Sequence, residues 1–196
     1  MTTLILGSHS FYYKKVAQQI QTLLPDRSGR MLLIGLAADE DFAASILRRE
    51  VNSLGMAGFD RSRITVFEPA SAEAAMQQDY SYIAVLGGNT FRLLHQVCKF
   101  GLDSFIREQF AKGAHYMGFS AGAYLACPDI FPASGLDDNN EITDGDLTAL
   151  HLTDDYVFCH YGEDDLHDAR RLQKLRYQLG DRVTVHPIGM DDVLVL

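Results

Sequence analysis

Gly118-Phe119-Ser120-Ala121-Gly122 follows the apolar run His115-Tyr116-Met117 and opens the helix-forming stretch from Ala121 to Ala126. No other feature of the chain constrains its fold as much. G-x-S-x-G between a strand and a helix is the pattern of a serine on a sharp turn at a sheet's rim, with its Oγ projecting above the sheet. The two glycines remove the Cβ atoms that would clash in so tight a bend. The N–H of Ala121 then faces the place a substrate oxyanion would occupy. A helix N-cap serine with glycines for packing is the plainer reading of the same five residues. The strand before and the helix after favour the turn.

The rest of the chain alternates in the same way. Apolar runs predict strands at 3–7, 31–37, 63–67, 82–86, 114–118, 155–160, 182–187 and 192–196. Helical patterns cover 10–24, 40–57, 70–78, 90–100, 102–112, 121–127 and 165–179. Short strands alternating with helices imply a mostly parallel sheet with right-handed crossovers. Ligands bind such sheets beyond the C-terminal strand ends, so Gly87-Gly88 and Ser120 share that rim. The stretch 128–147, with Pro128, Pro132, Gly135, Asp137, Asp138, Asn139, Asn140 and Gly145, interrupts the alternation as a loop or hairpin excursion. Its acids lack the glycine and terminal glutamate of an EF-hand loop.

At 196 residues the chain suits one domain, 1–196, with a full core. No apolar run approaches the roughly 18–20 residues of a membrane span, and the N-terminus reads as a strand rather than a signal peptide. A formal net charge of −9 argues against nucleic-acid binding, which needs a basic face. Cys98, Cys127 and Cys159 form no C-x-x-C pair and sit among apolar or small neighbours, so all three read as buried thiols in a reducing cytoplasm. No H-E-x-x-H, paired cysteines or clustered histidines appear at ligand spacing, so neither metal nor cofactor is expected. The sequence leaves a homodimer open.

In Leu86-Gly87-Gly88-Asn89-Thr90-Phe91 a glycine pair ends a strand, and Asn89 or Thr90 can cap the next helix. The segment lacks both G-x-G-x-x-G and a Walker lysine. It reads instead as the second half of an oxyanion hole, with the Gly88 N–H facing that of Ala121. A serine nucleophile needs a base. Of seven histidines, His160 ends the apolar strand Tyr156-Val157-Phe158-Cys159 and so reaches the rim of Ser120. For the acid that orients it, Asp191 and Asp192 after Ile188-Gly189-Met190 compete. A carboxylate there would stabilise the imidazolium and raise the midpoint above about 6.5.

Together, Gly87-Gly88-Asn89-Thr90-Phe91-x-Leu93-Leu94, Gly118-Phe119-Ser120-Ala121-Gly122-Ala123, Leu125-Ala126-Cys127-Pro128 and His160-Tyr161 resemble the peptidase E-like serine peptidases, the family of aspartyl dipeptidase and cyanophycinase. The resemblance implies a flavodoxin-like α/β fold, a three-layer sandwich related to class I glutamine amidotransferases. It also implies hydrolysis of small peptides, including dipeptides with an N-terminal acidic residue. Carried over motif by motif, the nucleophile, base and acid fall on Ser120, His160 and Asp192, with Asp191 as the alternative acid. The oxyanion amides fall on Gly88 and Ala121, and substrate contacts on Asn89 and Arg170, with Arg171 equally near. The glycine run is shorter than the family's frequent triple glycine, Cys159 stands where proline is common, and no glycine follows Asp192. An esterase, or a family member retained only as a binding module, is the alternative.

Overall fold

Residues 4–6, 31–34 and 82–85 are continuous runs of strand-forming apolar side chains, which suit strands buried on both faces. In a computed structural model, which describes residues 2–196 apart from Asp39, Asn140, Glu141, Thr143 and Asp144, they become β1 (Leu4–Gly7), β2 (Met31–Ile34) and β4 (Tyr82–Val85), every residue buried. With β3 (Ile64–Val66), β5 (His115–Phe119) and β8 (Val193–Val195) they form a six-stranded sheet in the order β3-β2-β4-β5-β1-β8. All neighbours are parallel except β8, which runs antiparallel to β1 at the edge.

Side chains alternate across this sheet, as the period of two requires. Leu4, Leu6, Leu32, Ile34, Ile83, Val85 and Tyr116 face one core. It is completed by α4 (Thr90–Lys99), α5 (Leu102–Ala111), α6 (Ala121–Leu125) and α7 (Ala169–Leu179). Ile5, Met31, Leu33, Ala84 and Met117 face the other, which closes on Val16 and Ile20 of α1 (Lys14–Leu23) and Leu54 of α2 (Glu40–Met56). The short α3 (Ala72–Met76) precedes β4. The result is the expected layered α/β arrangement with a mostly parallel central sheet.

Three elements depart from expectation. β6 (Tyr156–Phe158) and β7 (Val185–Pro187) do not join the main sheet; they pair with each other in a separate two-stranded parallel sheet. Helix α7 starts at Ala169 rather than 165, because the Asp168 carboxylate accepts the Arg171 N–H and caps it there. The loop reading of 128–147 holds where the structure describes it, with one short 3-10 turn at Phe131–Ala133; residues 140, 141, 143 and 144 lie outside the described set.

The register fixes where chemistry can occur. Gly118 lies beside Leu6 on one side and Val85 on the other, and Gly7 lies beside Phe119. The C-terminal ends of β1, β4 and β5 are therefore level. The segments that follow them, Ser8-His9, Gly87-Gly88 and Ser120, emerge side by side.

Candidate active site

The turn at Ser120 is built from contacts that leave no room for larger neighbours. A Cβ on Gly118 would stand 2.3 Å from the Gly122 carbonyl oxygen, and one on Gly122 would stand 2.2 Å from that of Val85. Both positions need glycine for close approach. The backbone at Ser120 is held at φ 51, ψ −110, a conformation that costs an L-residue free energy and persists only where surroundings impose it. Those surroundings include the Ser120 N–H bonded to the Gly7 carbonyl at 2.8 Å and the Tyr116 hydroxyl donating to the Gly122 carbonyl at 2.7 Å.

His160 arrives from the smaller sheet and not, as expected, from a strand of the main one. Ser8, buried at the end of β1, bridges the gap. Its Oγ accepts the His160 N–H at 2.8 Å while donating to the Ile188 carbonyl at 2.7 Å. His160 itself has φ 60. Its Nε2 lies 2.9 Å from Ser120 Oγ, within hydrogen-bond reach.

The other ring nitrogen, Nδ1, lies 3.2 Å from Glu163 Oε2. With a neutral ring, Nδ1–H donates to the carboxylate and leaves Nε2 to accept the serine proton, the tautomer a general base requires. Glu163 is three residues beyond His160 and is held there by a turn in which its N–H donates to the His160 carbonyl at 3.0 Å. The same carboxylate takes His9 Nε2 at 2.9 Å and 3.1 Å. His9 stacks on Tyr13 at 4.1 Å between ring centroids. Burial lowers the His160 pKa below its ordinary value, against the upward pull of Glu163; His9 and His167 add to the lowering. This reverses the expected upward shift, because loss of water around the ring outweighs the single carboxylate.

The expected acids are engaged elsewhere. Asp192 folds back over the turn 189–192, where its Oδ2 accepts the Gly189 N–H at 3.2 Å. Asp191 pairs with Lys15 of α1, and its carbonyl accepts from Gln19 at 2.6 Å. Neither carboxylate is placed on His160, whose side-chain hydrogen-bond partners among the described residues are Ser120 and Glu163. Glu163 escaped the sequence reading because Glu163-Asp164-Asp165 looks like a solvated acidic run. The available signal was the i, i+3 spacing from His160. His9 had one too: it lies two residues beyond the end of the first apolar strand run.

Of the expected oxyanion-hole segments, one flanks Ser120 directly in sequence, at Ala121, and the other approaches it through Gly87. Gly87 packs against Ser120, where an added Cβ would be 2.9 Å from the serine Cβ. Gly88 has φ 138, and a Cβ there would be 2.5 Å from the Ala37 carbonyl oxygen. Ala121 is the first residue of α6, so its N–H has no partner within the helix. Asn89 caps α4: its side-chain oxygen accepts the Arg92 N–H at 2.9 Å, and its Nδ2 donates to the Asp138 carbonyl at 2.9 Å. Those roles occupy both ends of its amide. Arg170 is 89% exposed and paired with Asp168 at 2.8 Å. Arg171 instead donates to the Ser134 carbonyl at 2.9 Å and, with Lys174 and Phe158, lines a cavity of about 290 Å³ that does not include Ser120.

Cys159 is the other nucleophilic atom near the turn, its Sγ 4.0 Å from the Ser120 carbonyl. Complete burial raises its thiol pKa far above normal, so it stays protonated. Cys127 is buried likewise, its thiol pushed up to about 12, whereas Cys98 is exposed, against expectation.

The α/β fold thus holds a strained serine at the rim of its mostly parallel sheet, with an imidazole on the hydroxyl and a carboxylate behind the ring. The chain belongs to peptidase family S51, whose model matches residues 3–193. It is 31% identical over 126 residues to the uncharacterized peptidase Lin0382 of Listeria innocua, an alignment covering 63% of this chain and 58% of the relative. It is 52% identical over 48 residues to the peptidase E of Escherichia coli O1:K1 / APEC, 24% of this chain and 21% of that one. The chain thus spans just over half the length of the first of these relatives. Among solved structures, a Listeria monocytogenes EGD-e protein assigned as a peptidase E superposes over all of this chain and 94% of its own, with TM-score 0.80 and 23% identity. A peptidase from an acI-B1 actinobacterium gives TM-score 0.72 at 16% identity, over 83% of its length. These two share the fold.

Proposed function

We propose that this protein is a serine peptidase acting on small peptides. Ser120 Oγ attacks the scissile carbonyl, His160 Nε2 takes its proton and returns it to the leaving amine, and Glu163 holds the imidazole in the required tautomer and stabilises it when charged. The Gly88 and Ala121 amides receive the oxyanion. The observation that carries this reading is the 2.9 Å approach of His160 Nε2 to Ser120 Oγ on a serine held at φ 51. Glu163 replaces Asp192 and Asp191 as the proposed acid because its carboxylate, unlike theirs, lies on Nδ1.

Preference for an N-terminal acidic residue would need a cation left available to the substrate. Arg170 already pairs with Asp168, so the reading stops at small peptides. Buried thiols at Cys127 and Cys159 suit a reducing compartment, and we place the protein in the cytoplasm.

Turnover of a dipeptide panel and of matched esters, by wild type and Ser120→Ala, tests the reading. Peptide hydrolysis lost by the variant supports it. Ester hydrolysis without peptide hydrolysis would make the protein an esterase, and equal turnover by Ser120→Ala would remove the serine mechanism.

A further inference from the structure

Three potential metal ligands converge behind the proposed catalytic pair. One nitrogen each of His9 and His160 and one oxygen of Glu163 lie within 4.8 Å of one another. His9 is 151 residues from His160 and 154 from Glu163, so no spacing motif joins the three; the level ends of β1 and β5 and the bridge through Ser8 bring them together. All three are partly shielded from water: the side chains of His9, Glu163 and His160 are 14%, 17% and 22% exposed.

We propose that this triangle is an inhibitory site for a borderline divalent cation such as Zn²⁺, bound by His9 Nε2, His160 Nδ1 and Glu163. Two imidazoles and a carboxylate, completed by water, are a donor set zinc accepts. Ligand atoms of a tetrahedral zinc at about 2.1 Å stand roughly 3.4 Å apart. Glu163 Oε2 is 2.9 Å from His9 Nε2 and 3.2 Å from His160 Nδ1, so each pair lies within about 0.5 Å of that spacing, and the two ring nitrogens lie within 4.8 Å of each other. The two rings stand edge to face, with centroids 5.0 Å apart at 79°.

Occupancy and catalysis exclude each other. A neutral imidazole ligated through Nδ1 carries its remaining proton on Nε2. Nε2 then donates to Ser120 Oγ and cannot take the serine proton. The cation also claims the carboxylate that orients the ring. The blocking effect rests on the proposed roles of Ser120 and His160; the binding does not.

The test is a zinc titration of chelator-treated protein against a chromophoric competitor, run alongside peptide turnover. Wild type and Ser120→Ala should each bind one Zn²⁺ with matching affinity. His9→Gln and Glu163→Gln should bind at least about tenfold more weakly, with unchanged circular dichroism and unfolding midpoints showing that they are folded. His9→Asn provides a second variant at that ligand. Wild-type turnover should fall along the binding curve and return with EDTA. The site is overturned by the absence of saturable binding, by wild-type affinity in folded His9→Gln and His9→Asn, by zinc that binds without slowing turnover, or by zinc that raises turnover. If metal-free wild type cleaves no peptide, the proposed function fails, and the binding measurements on Ser120→Ala and the ligand variants still decide the site.

Discussion

Glu163 Oε2 stands 3.2 Å from His160 Nδ1, three residues along the chain and on the side of the ring opposite Ser120. Substitution should therefore separate it sharply from the aspartates that the family resemblance favoured. Glu163→Gln keeps the shape but offers the ring a mixed donor and acceptor. We expect kcat/KM for a good dipeptide to fall on the order of 10²–10⁴-fold, as when an orienting carboxylate is lost. Asp192→Asn and Asp191→Asn should stay within about threefold of wild type, because their carboxylates serve a turn and Lys15. A severe loss in Asp192→Asn beside a mild one in Glu163→Gln would return the acid to Asp192.

The pH profile should carry the same signature. The proposed base must be neutral imidazole to accept a proton, and burial lowers the His160 pKa. Activity should thus be fully developed at neutral pH and decline as the pH falls through a midpoint below about 6.5. Glu163 opposes that lowering. Its replacement by Gln should move the midpoint further down while reducing the plateau. The measurement is kcat/KM against pH in chelator-treated buffer. A midpoint above about 6.5 in wild type, or an upward move in Glu163→Gln, would contradict it.

Packing around the serine turn should be intolerant in a specific way. Gly122→Ala places a Cβ against the Val85 carbonyl, a fixed backbone atom. Overpacking of this kind typically costs about 1–3 kcal/mol. Gly162→Ala has a positive φ of 81 but nothing within 4 Å, so it should cost only the left-handed strain of about 1–2 kcal/mol. Urea unfolding of both variants gives stability, and peptide turnover adds a second readout. Gly122→Ala should lose activity beyond its loss of stability, because the clash lies next to Ser120; Gly162→Ala should not.

Thiol reactivity should follow burial. A disulfide-exchange reagent added to native protein should modify one cysteine, the exposed Cys98, and all three after unfolding. Rapid native labelling of Cys159 would mean that the thiol beside Ser120 is accessible and competes as a nucleophile.

Much of this was legible in the sequence, because the strongest signals are local. Continuous apolar runs placed the strands of the main sheet within a few residues, and G-x-S-x-G located the serine turn through sterics that only glycine satisfies. What was missed depends on pairing or on side-chain orientation. Nothing in Tyr156-Val157-Phe158 states that its partner is β7 rather than a strand of the main sheet. Glu163 sits in a polar stretch whose folding is set by the His160 turn, and its contact with the ring appears only once Nδ1 has a direction. The preference for Asp192 came from resemblance, which cannot register that its carboxylate turns back onto Gly189. Cys98 follows the buried Val97 on α4, and one helical step carries it round to solvent.

The central claim is that Ser120 is a nucleophile activated by His160. A fluorophosphonate probe tests it directly, because the probe forms a covalent bond with an activated serine whatever the natural substrate is. Intact mass and peptide mapping of chelator-treated protein should show one adduct per chain, on Ser120. Ser120→Ala should carry none, and labelling should slow by orders of magnitude in His160→Gln. An adduct on another residue, labelling of Ser120 that proceeds equally fast without His160, or peptide hydrolysis that continues with Ser120 unlabelled would contradict the account.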